Sequence, residues 1–183
     1  MTPADVPSRE TGFLVFAQRT DARVELEAWS AHAERFFATR VGLAEDKKYA
    51  PDIPVPRVDS VSFVIAPLGE SPGVRRAFAR PRDAEDLALA EAADARAGGT
   101  GLALLARRCP TVWLVARETE SDGLALRLAA ILASVLLGPI LDTRSGELYG
   151  VKTAREKITA CPQVPAGELE GSGGSGRAPL DQD

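Results

Sequence analysis

Apolar residues change their spacing several times along this chain, and each change predicts an element. The run GFLVFAQ (Gly12–Gln18) is short, apolar and aromatic, and predicts a buried strand. From Asp21 the spacing becomes three and four. Ala22, Leu26, Trp29, Ala33, Phe36 and Phe37 then share one face of an amphipathic helix that runs to about Gly42, with Asp21 as its N-cap. Prolines repeat through the second half of Gly42–Val58, and each removes an amide and fixes φ, so a surface loop is expected. Val61, Phe63 and Ile65 alternate with smaller residues in Asp59–Leu68, a second strand by period two. Gly69–Arg82 reads as a connection. Asp83 opens a helix that the paired Gly98 and Gly99 close, a shorter helix fills Thr100–Arg108, and Thr111–Arg117 is the clearest strand.

Between Leu124 and Leu141 only Arg127 is charged, so a membrane span has to be weighed. A span needs about 20 apolar residues. Gly138 and Pro139 cut this helix short, and Ala125, Ala129 and Ala133 form a smooth stripe for close packing. A core helix covered on most sides is the expectation. Ile140–Val151 then predicts a hairpin with turn chemistry at Asp142–Gly146, and Val151–Ile158 a last short helix.

The order β, α, β, α, α, β, α, β, β, α predicts an α/β fold, with α+β as the alternative. It implies a single layered domain over residues 12–161 on a mixed sheet of about five strands, ending in a hairpin and short helix. Trp29, Phe63, Trp113 and Ile131 are expected in one core. Residues 1–11 are expected to be a disordered lead, and residues 162–183, rich in Gly, Ser and Pro, a flexible tail.

Composition changes this picture little. The chain has 183 residues, a net charge of −4 and a pI near 5.2, which argues against a protein that coats nucleic acid. The same balance suits a soluble protein, and a bacterial one is expected; arginine outnumbers lysine 18 to 4 and alanine is abundant, a pattern of GC-rich genomes without chemical meaning. Its start lacks a basic segment followed by an apolar one, so the expected location is cytoplasmic. Cys109 and Cys161 fit no metal spacing and are expected to be idle thiols, with a disulfide between them as the other reading.

Candidate chemistry is sparse. The glycines of APLGESPG (Ala66–Gly73) lack a phosphate-loop pattern, and neither a cofactor nor a metal is expected. His32, the only histidine, lies on the flank of the first helix near Glu25, and a histidine with a carboxylate can act as a general base. Tyr149 and Arg127 complete the catalytic suspects. Arg75, Arg76, Arg80 and Arg82, with Phe78 among them, form the one concentration of charge. Guanidinium groups so placed suit docking to an acidic surface. The expected function is therefore a non-catalytic protein-binding module, an adaptor, regulatory subunit or immunity-type protein, whose partner is another protein with an acidic surface. The alternative is a small enzyme with a dispersed site near His32.

Overall fold

The computed structural model describes residues 12–19, 24–44, 60–119 and 122–160. The lead, the N-cap assigned to Asp21, most of the proline-rich loop, Cys161 and the tail lie outside these residues. The elements run β1 (Gly12–Ala17), α1 (Leu26–Phe37), β2 (Thr39–Leu43), β3 (Ser60–Pro67), β4 (Gly73–Pro81), α2 (Ala84–Arg96) and α3 (Leu102–Arg107). They continue through β5 (Thr111–Ala116), α4 (Gly123–Leu136), β6 (Ile140–Asp142), β7 (Glu147–Tyr149) and α5 (Val151–Ala160).

The fold is α/β, roughly as expected, and among the described residues the sheet has seven strands, in the order β2-β3-β4-β5-β1-β6-β7. Every pairing in it is antiparallel, where a mixed sheet was expected. Helical crossovers do join strands that run the same way: α1 carries the chain from β1 to β2, and α4 from β5 to β6. Other strands lie between the members of each such pair, always an antiparallel one next to each member, so no two parallel strands become neighbours. The paired helices α2 and α3 return the chain to the end of β4 that it left, and β5 therefore runs back beside β4.

Two strands occupy stretches read otherwise from sequence. The first helix stops at Phe37, because Ala38 takes a left-handed conformation (φ 48°), and Thr39–Leu43 forms β2 instead of a further helical turn. The supposed connection at Gly69–Arg82 contains β4, a central strand between β3 and β5. Its alternation of arginine, alanine and glycine carries little apolar signal.

Helices cover the sheet on both faces. On one face, Trp29 of α1, Leu128 and Ile131 of α4 and Ile158 of α5 pack with Phe13, Phe63 and Trp113 in a large core. Trp29, Phe63, Trp113 and Ile131 share this core as expected, with Trp113 only 1% exposed. On the other face, Ala90 and Ala93 of α2 and Ala103 and Ala106 of α3 cover Leu14, Phe16, Leu114 and Leu141. All six residues of β1 are buried, which is why its sequence is continuously apolar. α4 has 14 residues, nine of them buried, and no described helix is long and apolar enough to cross a membrane.

Candidate partner-binding surface

Strand alternation divides the arginine cluster between the two faces of β4. Arg75 lies on the face of α4, where its Nε donates to both carboxylate oxygens of Asp122 (2.9 and 2.7 Å) and its Nη1 pairs with Glu118 at 3.0 Å. Asp122 is the N-cap of α4 and also accepts from the amides of Ala125 and Glu118, so Arg75 completes a buried clamp on that helix. Arg80, on the opposite face, grips Asp86 with two bonds of 2.6 and 2.7 Å. Asp86 is wholly buried and closes a capping box with Asp83 at the start of α2, and these bonds hold the Arg80 guanidinium above its usual range. Arg82 donates from Nε to the Cys109 carbonyl at 2.8 Å, and Phe78 is 9% exposed in the smaller core. Arg76 differs. It is exposed, opposite Ser62 of β3, and makes no hydrogen bond or ion pair with the described residues.

Arg76 stands on a part of the sheet that no described helix covers. On the α2–α3 face, Arg40 and Gly42 of β2, Ser62, Val64 and Ala66 of β3, and Val74 and Arg76 of β4 are all partly or fully exposed. Their cross-strand partners interlock: Gly42 faces Val64, Val64 faces Val74, and Ser62 faces Arg76. Val74 is 44% exposed, and Leu68 just beyond β3 is 58% exposed. The reverse faces of the same strands hold Val41, Val61, Phe63, Ile65, Ala77 and Ala79, all buried. The result is a shallow apolar strip flanked by two arginines.

Comparison with protein-family models, with curated proteins and with solved structures finds no match for this chain. The site therefore rests on its own geometry.

The catalytic suspects are not brought together. Glu25 pairs with Arg19 at 2.8 Å, and Arg127 with Glu70 at 2.7 Å and the Phe37 carbonyl. His32 reaches across from α1 to α4, where its Nε2 lies 2.7 Å from Ser134 Oγ, and its ring leans on Phe36. Burial, and then Arg35, hold its pKa below the usual value. A serine beside a histidine suggests acyl transfer, but Ser134 sits inside the last turns of α4. The amides there are bonded within the helix, and the local dipole is negative, so an oxyanion would find neither donors nor favourable charge. Tyr149 is 5% exposed, and burial followed by Asp142 pushes its phenol upward.

Beside Tyr149 a cleft of about 490 Å³ runs along the outer edge of β7, between α2 and α5. Its charges are already engaged: Lys157 pairs with Glu147 at 2.7 Å, and Arg96 donates to the Gly146 carbonyl at 2.8 Å. Among the described residues no three His, Cys, Asp or Glu side chains converge as metal ligands. Cys109 is a free thiol, fully buried and pushed up to about 11 by that burial. Within the cluster, alternation along β4 separates Arg76 from Arg75, but only if the segment is first recognised as a strand. The exposed strip also needs Val64, Val74 and Arg40, which sequence reasoning did not assign.

Proposed function

We propose that this chain is a protein-binding module of the adaptor, regulatory-subunit or immunity type, acting in the cytoplasm. Its contact surface is the uncovered face of β2, β3 and β4. The observation that carries this reading is the asymmetry of the sheet, sealed on one face and bare on part of the other, with an apolar strip left in solvent. Apolar surface rimmed by polar groups favours association. The occupant is a protein with an acidic contact surface, because Arg76 and Arg40 offer uncompensated or loosely paired positive charge at the margin. Arg75, Arg80 and Arg82 support the strand beneath and are not part of the contact. A free buried thiol at Cys109 is in keeping with a reducing compartment.

The test is affinity capture from the native cell with three baits. Wild type and Arg107→Glu, a change on α3 remote from the strip, should retain the same stoichiometric partner, and raised salt should weaken it. The double variant Val74→Asp with Arg76→Glu should lose that partner while keeping the wild-type melting temperature. Equal capture by all three baits, or no stoichiometric partner, would sink the reading.

A further inference from the structure

The cleft along β7 has the build of a small-molecule site. Its volume of about 490 Å³ falls in the range of ligand pockets, and Ala93, Ala97, Leu102 and Leu148 give it apolar walls. Three charged residues also line it: Arg96 on the α2 side, Lys157 on the α5 side and Glu147 of β7. Lys157 lies over the Tyr149 ring, 5.2 Å from its centre, and its ammonium is neutralised by Glu147 at 2.7 Å.

Arg96 is held in place without being neutralised. Its Nε donates to the Ala92 carbonyl at 3.3 Å and its Nη2 to the Gly146 carbonyl at 2.8 Å. A Cβ at Gly146 would stand 2.5 Å from Nη2 and 3.0 Å from Nη1, so the guanidinium fills space that only glycine leaves open. Asp94, the nearest acid in sequence, is turned instead to the hydroxyl and amide of Thr100 and the amide of Gly101. Among the described residues no carboxylate forms an ion pair with Arg96. Carbonyl oxygens fix a guanidinium but do not cancel its charge. Nη1 and the second hydrogen of Nη2 remain, and together they form the end-on fork that matches a carboxylate.

We propose that this cleft binds a small monocarboxylate with a hydrocarbon body, its carboxylate on Arg96 and its body against the apolar walls. One uncompensated cation calls for one negative charge, whereas a dianion would also meet Glu147. The proposal goes beyond the partner-binding reading and stands without it, because β7 and the open strip lie at opposite edges of the sheet.

A matched pair of probes supplies the test: phenylbutyrate and its neutral amide, phenylbutyramide, titrated into the isotope-labelled full chain at neutral pH and followed by amide chemical shifts. Phenylbutyrate should bind saturably, with a dissociation constant of about 1 mM or below, and about tenfold more tightly than the amide. The shifts should centre on Ala97, Leu102, Leu148 and Thr153. Arg96→Gln should abolish the preference for the carboxylate while leaving the affinity for phenylbutyramide unchanged, a pattern that misfolding cannot produce. A wild type that binds both probes equally or neither, or shifts that centre elsewhere, would overturn the proposal. So would a preference that survives in Arg96→Gln, or an equal loss of both probes there, which would make Arg96 a support of the fold and not the carboxylate's partner.

Discussion

The β5-β1-β6-β7 half of the sheet turns large apolar side chains such as Leu14, Phe16 and Leu114 toward the α2–α3 face, whereas the β2-β3-β4 half turns mostly small or charged ones there, and the two meet different surroundings. Leu14 and Phe16 in the first half are wholly buried there, whereas Val64 is half-buried and Val74 44% exposed in the second. Geometry accounts for this. Strands spaced about 4.8 Å apart give a seven-stranded sheet roughly 29 Å between its outer strands, and a helix with its side chains is about 10 Å across. Three helices can roof that width, as α1, α4 and α5 do on one face. Two helices cover about four strands, and α2 with α3 lie over four together with the end of β4 that carries Phe78 and Arg80. The open strip is what a missing third helix leaves behind. The lesson is that an exposed valine on a strand acquires meaning only from the layer that does or does not stand above it.

The sharpest way to break the doubly covered half is at Gly138. A Cβ there would sit 1.7 Å from the Phe16 carbonyl oxygen, where the turn after α4 presses on β1. Phe16 also donates its amide to the Pro139 carbonyl at 3.0 Å, so β1 cannot retreat without losing that bond. Gly138→Ala should cost about 3 kcal/mol or more by chemical denaturation. A loss under about 1 kcal/mol would mean that the turn yields and the half is less rigid than its packing implies.

A matched pair of truncations compares the halves directly. Leu14→Ala removes a side chain enclosed between two layers and should cost about 3 kcal/mol. Val74→Ala removes one already in solvent and should cost less than about 0.5 kcal/mol. Similar losses at the two positions would show that something covers Val74 in the free protein, and the open strip would cease to be a docking surface.

Much of the doubly covered half was legible in sequence, and the open half was not. Phe13, Leu14, Val15 and Phe16 form an uninterrupted apolar run because both sides of β1 are roofed. The capping residue Asp83 and the break at Gly138 and Pro139 mark helix ends by local chemistry alone. β4 defeated that logic. On one face Val74 and Arg76 stand in solvent and only Phe78 is buried, and the other face lies under α4, where glycine, arginine and alanine leave room, so neither period two nor a continuous run appears. β2 was masked for a different reason, being five residues long and fused to the helix before it. Strand direction was hidden because crossover helices announce parallel strands without revealing that another strand will lie between them. The arginine cluster was real in sequence, but β4 divides it, with Arg75 tied to Asp122 and Arg80 to Asp86.

A smaller effect tests how the halves are tied together on their common, covered face. α1 reaches across β3 and β5 through Trp29, whose ring lies 6.2 Å from Phe63 and 5.9 Å from Trp113, and His32 bonds α1 to Ser134 of α4. Burial and Arg35 hold the histidine pKa below 6.5 in the folded state. The unfolded chain then binds more protons just below pH 6.5, so stability should fall as pH drops from about 7.5 to 5.5 and level off below the folded value. His32→Asn can keep a hydrogen bond to Ser134 but cannot titrate, and should flatten that slope while leaving stability at pH 7.5 nearly unchanged. Thermal unfolding across this window separates the cases. An unchanged slope in the variant would move the pH dependence to other groups, while a large loss at pH 7.5 would show that the imidazole packing against Phe36, rather than its bond to Ser134, holds α1 to α4.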